Sequence, residues 1–458
     1  MASSAHTVNE LPVIVIGAGP VGLAAAAHLV EQGLDPLVLE AGDQPGAAIH
    51  NWGHIKLFSP WRFNIDDACR RLLEPTGWNA PSPTRLPTGE QLVSEYLFPL
   101  AFSTVLKDKI RFQTQVTGVS RGDRDKTHTA ARQGTAYTVR VEADGTASDL
   151  HARAVIDASG TWSQPNPMGA SGLPALGEED PALGQYLTGA LPDVLGAEHN
   201  RAAGKRVLVV GAGHSATNTL LNLTALKRED TQTQVVWAVR GESAERSFGG
   251  GDRDGLPERG ALGERLRRLV EAGHIQVMTS AAVRRLSEAE SGGVVVEFSD
   301  GRMINVDAVA AATGFRPDLE MLRELRLDLD PGVESPSRLA PLIDPEFHSC
   351  GTVKAHGTEV LAHPEDGFFL AGMKSYGRAP TFLLATGYEQ VRSIAAHLAG
   401  NDAEPIDLQL PETGVCSVAD PEHAETPDEL AEEPCTDNGL EPAVIGVPTG
   451  VEHGRRGH

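Results

Sequence analysis

Two unbroken apolar runs stand out along the chain, VIVI at Val13 to Ile16 and VLVV at Val207 to Val210. Continuous runs of this kind suit parallel strands buried on both faces, where no position looks onto water. Each run leads into a glycine-rich turn and then a helical stretch, Val21 to Gln32 after the first and Ser215 to Lys227 after the second. A further strand follows each helix, PLVLE at Pro36 to Glu40 and VVWAVR at Val235 to Arg240. The pattern predicts two βαβ units, each within about thirty residues.

Between and after these units the pattern changes. Residues 43 to 106 are rich in Trp, Pro and Arg, including Trp52, Trp61 and Trp78, and read as a loop and helix excursion rather than sheet. Ile110 to Val119, Tyr137 to Glu142 and His151 to Asp157 read as a β-meander, with GDRDK and ADG as turns. Pro165 to Gly204 is dense in Pro and Gly and reads as a connector. The second unit continues with a glycine loop at Gly249 to Gly255, a helix near Leu262 to Ala272, and strand IQVM. A strand pair at Val294 to Phe298 and Met303 to Val306 precedes a closing strand at Ala308 to Ala312. A last strand at Gly367 to Gly372 and a helix at Thr381 to Leu398 follow. From Glu404 onward no apolar period offsets the entropy of ordering, and a disordered acidic tail is expected.

Composition narrows the function. A formal charge of −23 over 458 residues argues against a nucleic-acid partner, which needs clustered Lys and Arg. Much of that excess lies in the tail. Cys69, Cys350, Cys416 and Cys435 form no Cys-x-x-Cys pair, so neither a zinc site nor a disulfide framework is indicated, and a reducing cytoplasm is expected. The apolar stretch Leu11 to Val30 is interrupted by Gly17, Gly19, Pro20 and Gly22, which argues against a membrane segment.

The chemistry lies in the turns. Gly17-Ala18-Gly19-Pro20-Val-Gly22 follows a strand and opens a helix, the setting that makes this spacing a dinucleotide fingerprint. Gly17 permits the tight turn, Gly19 lets backbone N–H groups approach a diphosphate, and Gly22 lets helix and strand pack closely. Glu40, 18 residues beyond Gly22, stands where a carboxylate accepts from adenosine ribose hydroxyls. The second turn, Gly211-Ala-Gly213-His214-Ser215-Ala216, repeats the pattern with an alanine in the third place. After its second strand stands Arg240 in place of an acid, which suits a ribose 2′-phosphate. A charge-assisted contact of roughly 1.5 to 3 kcal/mol gives about ten- to a hundredfold preference for NADPH over NADH. Arg246 and Arg253 are candidates to reinforce it. His214 either fixes the turn or contacts the NADPH phosphate, and in neither role is it a catalytic base.

Two closing phrases, Ala154-Val-Ile-Asp-Ala-Ser159-Gly160 and Ala308-Val-Ala-Ala-Ala-Thr313-Gly314, follow the two units in order. On these residues the chain resembles the two-dinucleotide-binding-domain flavoproteins, and within them the flavin-containing monooxygenase-like branch, over about residues 11 to 400. Gly160-Thr-Trp-Ser-Gln-Pro165 is similar to a phrase of that branch. The resemblance implies an α/β fold of two nested Rossmann-like domains, an FAD domain interrupted by an NADPH domain. Its parts are residues 11–165, a connector at 166–204, the NADPH unit at 205–318, the rest of the FAD domain at 319–403, and the tail at 404–458. It also implies that Val116 flanks the adenine, that Ser159 and Gly160 serve FAD, and that Thr313 and Gly314 serve NADPH.

Some residues depart from the branch. Its Phe-x-Gly-x-x-x-His signature is missing between Gly160 and Gly204, and Phe58 stands where many members have Asn before Ser-Pro. From the thiol-disulfide relatives the chain departs in having no Cys pair and in having Met373 after Ala371-Gly372, where they tend to have Ala-x-Gly-Asp. Tyr376-Gly-Arg378-Ala-Pro-Thr381 resembles a subgroup of flavoprotein monooxygenase-like proteins encoded with bacterial arsenic-resistance genes. His348-Ser-Cys350 and Cys416 fit that subgroup, and soft thiolates suit a trivalent metalloid. Arg378 is the candidate catalytic residue. The expected activity is FAD- and NADPH-dependent oxygenation of a small soft nucleophile by O2; an NADPH-dependent reductase without oxygenation and a dinucleotide-binding redox sensor are the alternatives.

Overall fold

Both apolar runs form the central strands of five-stranded parallel sheets in the computed structural model, which describes residues 8–249, 251, 254, 256–345, 353, 355–380, 382–401, 406 and 408. The first sheet has the order β16-β7-β1-β2-β3, with β1 at Val13–Ile16, β2 at Pro36–Leu39, β3 at Ile110–Arg111, β7 at Ala154–Asp157 and β16 at Phe368–Leu370. The second has the order β11-β10-β9-β15-β8, with β8 at Leu187–Thr188, β9 at Arg206–Val210, β10 at Gln234–Ala238, β11 at Ile275–Met278 and β15 at Ala308–Ala311. Successive side chains of a strand point to opposite faces. Val13 and Val15 accordingly join one core and Ile14 and Ile16 another. In β9 the same division sends Val207 and Val209 one way and Leu208 and Val210 the other. An unbroken apolar run is what two covered faces require.

The helix Pro20–Glu31 buries its Ala24 to Ala27 run and packs on the last helix, Leu384–Leu398. Two antiparallel three-stranded sheets complete the strands: β4 (Gln115–Arg121), β5 (Tyr137–Ala143) and β6 (Thr146–Ala152) in one, β12 (Val283–Glu288), β13 (Val294–Phe298) and β14 (Met303–Val306) in the other. Residues 43–106 hold short helical turns and no named strand among the described residues.

The sequence reading differs from the structure where the chain changes sheet. Ile110 to Val119 splits at a corner where Gln113 takes a positive φ of 51°, so β3 joins the parallel sheet and β4 the meander. His151 to Asp157 splits at Arg153, β6 pairing antiparallel with β5 and β7 parallel with β1. Apolar period alone does not reveal a change of partner. The connector supplies β8, an edge strand beside β15, and the helix read from Leu262 begins at Pro257, where proline's fixed φ suits a first turn.

The chain passes from the first sheet to the second and back along paired segments. Pro165 and Phe315 form an antiparallel bridge, the Asn166 N–H donates to the Gly314 carbonyl at 2.9 Å, and the Arg316 N–H donates to the Gln164 carbonyl at 3.0 Å. Trp162 stacks on Phe315 with ring centroids 4.7 Å apart.

A buried ion pair ties the β4–β5 loop to the segment before β16. Arg132 donates from Nε and Nη2 to Glu365 Oε1 at 2.8 and 2.6 Å, and each side chain is 3% exposed. Arg132→Met removes that carboxylate's cation, leaving it the Arg326 N–H at 3.0 Å, and is expected to lower the unfolding free energy by about 3 to 5 kcal/mol. Urea titration checks it; a loss near zero would show that the carboxylate finds water or another donor.

Candidate functional site

The first turn is built by contact with the closing strand. Gly17 adopts φ +98°, and a Cβ there would lie 2.9 Å from the Ala158 carbonyl oxygen. At Gly22 a Cβ would lie 1.9 Å from the Gly17 oxygen, whereas at Gly19 it would meet nothing within 4 Å. The turn is thus closed against protein at two glycines and open at the third, beside the N-terminus of helix Pro20–Glu31. Ala18 is buried, and its N–H donates to Glu40 Oε2 at 2.6 Å; the Gly42 N–H donates to Oε1 at 2.9 Å. Val116, 8% exposed, lies on β4. Ser159 donates from its N–H and hydroxyl to Asp157 Oδ1, at 3.1 and 2.6 Å. Gly160 follows with φ +73°.

Asp157 has a partner that the sequence reading missed. Lys374, fully buried, places Nζ 2.6 Å from Asp157 Oδ2 and 3.1 Å from Ser159 Oγ. A carboxylate ending an otherwise apolar buried strand was a signal that a cation had to come from elsewhere. The cation arrives just beyond β16, 217 residues away in sequence.

The second turn repeats the construction. Gly211 has φ +131°, a Cβ there would lie 2.1 Å from the Ala312 oxygen, and Gly213 is open as Gly19 is. The indole Nε1 of Trp237, on β10, donates to the Gly211 carbonyl at 2.7 Å. Ala216 is fully buried, and Ser215 is partly buried in the first turn of helix His214–Glu229. Thr313 donates to the Asn166 carbonyl at 2.5 Å, and Gly314 has φ +86°. Arg240 is exposed, with Nη1 donating to the Ala170 carbonyl at 3.2 Å. Register sharpens its place: Leu39 pairs with Ile16 as Ala238 pairs with Val210, so Val239 stands level with Glu40 and Arg240 comes one residue later. Arg246 is exposed nearby in sequence, and Arg253 lies outside the described residues.

His214 meets the first unit. Its ring centroid is 5.3 Å from that of Phe58, and the Arg259 guanidinium carbon lies 5.9 Å from the Phe58 centroid. Burial, and then the charge of Arg259, push the imidazole down to about 4 against the opposing pull of Asp254. It is neutral at physiological pH. Arg378 is exposed and forked onto Glu334, with Nε and Nη2 at 2.7 and 3.2 Å. Cys69 is fully buried, and desolvation raises its thiol well above the ordinary range. Thr381, His348, Cys350, Cys416, Cys435 and most of the tail lie outside the described residues.

Two nested parallel sheets, each with a glycine turn pressed on its closing strand, define a two-dinucleotide-binding-domain oxidoreductase fold. The family model of pyridine nucleotide-disulphide oxidoreductases matches residues 14–350, and the chain belongs to that family. With it come a flavin-dependent oxidoreductase activity and the cofactors FAD and NAD(P)H. Among solved structures, a bacillithiol disulfide reductase from Bacillus cereus is similar at 21% identity and a TM-score of 0.62, over 85% of this chain and 99% of that one. The FAD-bound cadaverine monooxygenase of desferrioxamine biosynthesis from Erwinia amylovora is similar at 14% identity and 0.59, over 87% and 96%. A mutant flavin monooxygenase from Stenotrophomonas maltophilia is similar at 23% and 0.52, over 85% and 98%. No curated protein matches the chain in sequence. Reductases and oxygenases share the fold, so the choice between them rests on side chains. No helix among the described residues is long and apolar enough to cross a membrane.

The His214 environment sets an acid limit. Between its ordinary value of 6.5 and about 4, the unfolded chain binds a proton that the folded chain does not, so stability falls as pH falls through that window. At about pH 5 the loss is roughly 2 kcal/mol. His214→Gln is expected to flatten the pH dependence of the denaturation midpoint by that amount; an unchanged slope would mean that the imidazole is hydrated.

Proposed function

We propose that the protein is an NADPH-dependent flavin monooxygenase that oxygenates a small soft nucleophile, a trivalent arsenical or a sulfur compound. The first turn fits FAD: it is open at Gly19, and Glu40 is held beside Ala18 where an adenosine ribose would lie. Gly17, Ala18, Gly19, Pro20 and Gly22 would hold the diphosphate, Val116 would flank the adenine, and Ser159 and Gly160 would border the cofactor. These residues belong to a unit formed by 11–165 and 319–403. The second turn, in the unit 205–318 behind the connector 166–204, would hold NADPH through Gly211, Gly213, His214, Ser215, Ala216, Thr313 and Gly314. FAD, when bound, accepts a hydride from the nicotinamide and delivers electrons to O2.

Arg240 carries the nicotinamide assignment. It is exposed just past β10, where a 2′-phosphate would gain a charge-assisted contact, while the first unit has an acid at the end of β2. Oxygen as the acceptor is favoured by the cysteines. The four are too far apart in sequence for a Cys-x-x-Cys relay, and Cys69, whose thiol is held protonated by burial, offers no thiolate. Arg378 is proposed as a residue near the reacting rings, with Glu334 holding its guanidinium in one orientation.

Stopped-flow reduction is expected to be faster with NADPH than with NADH, and Arg240→Ala to reduce the preference by roughly ten- to a hundredfold. An NADH preference in the native enzyme would overturn the assignment. Turnover with arsenite or an organic sulfide is expected to yield oxygenated product in proportion to NADPH consumed; peroxide alone would make the enzyme a reductase, with Phe58 in the place of the branch's Asn.

A further inference from the structure

Arg259, in the first turn of helix Pro257–Glu271, is 3% exposed. Its Nε and Nη2 fork onto the buried Asp254 at 2.7 and 2.9 Å. That fork uses one edge of the guanidinium. Nη1, beyond it, is shut off from water and has no hydrogen-bond partner among the described residues. Buried donors are rarely left unpaired, and on a cation the cost is larger than on a neutral group.

The surroundings of the guanidinium link it to the second turn. The guanidinium lies over the Phe58 ring, and that ring meets His214, the first residue of a sixteen-residue helix. The helix N-terminus is open at Gly213 and favours an anion by its own dipole. At His214 the charge of Arg259 outweighs that of Asp254, so the ion pair is positive on the side of the turn. A buried cation with a spare donor and the first residue of an open helix N-terminus therefore meet the same aromatic ring.

We propose that Arg259 is an anion-binding residue of the second turn, where its Nη1 takes the diphosphate of the nicotinamide dinucleotide when that anion displaces the Phe58 ring. The proposal rests on reading the second turn as the nicotinamide dinucleotide site. It divides recognition between two arginines: Arg240 reads the 2′-phosphate that distinguishes NADPH, and Arg259 holds the diphosphate common to NADH and NADPH. The incoming anion also replaces a contact made by the first unit, so dinucleotide binding loosens the Phe58–His214 contact.

Two probes separate the roles on the FAD-loaded full-length enzyme: ADP-ribose has the diphosphate without a 2′-phosphate, and adenosine 2′-monophosphate has the reverse. Calorimetric titration is expected to show ADP-ribose affinity falling roughly ten- to a hundredfold in Arg259→Met, with adenosine 2′-monophosphate within about twofold of the native value. Arg240→Ala is expected to do the opposite, and Phe58→Ala to tighten ADP-ribose severalfold. Because Arg259→Met leaves Asp254 unpaired, the double variant Arg259→Met with Asp254→Leu is titrated in parallel and is expected to show the same selective loss. Native ADP-ribose affinity in either folded variant, equal loss of both probes, or weaker ADP-ribose binding by Phe58→Ala would overturn the proposal and leave the nicotinamide reading intact. A native enzyme that binds neither probe would overturn the nicotinamide reading, and this proposal with it.

Discussion

Each glycine turn is pressed against the carbonyl that ends its own closing strand, and the two sheets take their form from that contact. Ala158 and Ala312 stand where a side chain on Gly17 or Gly211 would need to be. Turn and closing strand are therefore one constraint, although the chain writes them far apart. This explains why the sequence pairs its phrases, VIVIGAG with AVIDASG and VLVVGAG with AVAAATG. Removing either glycine would push apart β1 and β7, or β9 and β15, at the level where a dinucleotide has to be seated.

Charge distinguishes the two otherwise similar units. Beside the first turn, the buried Lys374 and Asp157 form a closed set with Ser159, and Glu40 presents a carboxylate to the turn itself. Beside the second, Arg259 and Asp254 leave one nitrogen unmatched among the described residues, and the next charged group past β10 is a cation. Buried ion pairs seldom stabilise a fold more than apolar residues of the same size would. Both pairs stand near the turns rather than in the centres of the cores, and the role proposed for Arg259 rests on that position.

The βαβ units, both closing strands and the excursion after β2 were legible because apolar period, glycine placement and the acid at Glu40 are local signals. The switch of sheets at Arg153 was not, since a strand's partner is chosen by tertiary packing and the residues on either side of the switch are equally compatible with sheet. A two-residue strand such as β8 carries no period to read. Lys374 escaped notice for a related reason: a buried cation is recognised by its partner, and Asp157 lies 217 residues away. Arg259 has its partner Asp254 five residues away, but nothing in the local pattern separates a buried pair from an exposed one. Arg240 was found by analogy with Glu40, and the register then moved it one position along.

The paired crossing at Asn166 and Gly314 bears on how the chain can assemble. Synthesis delivers every strand of the second sheet before β16, so the inserted unit can close its sheet on the ribosome while β7 still presents an unpaired edge. Because the two crossing segments are hydrogen-bonded side by side, the finished insert holds its two ends together and spares β16 a long search for β7. The seam between the sheets thus acts as a splint during biogenesis, joining an N-terminal half-sheet to a strand made hundreds of residues later.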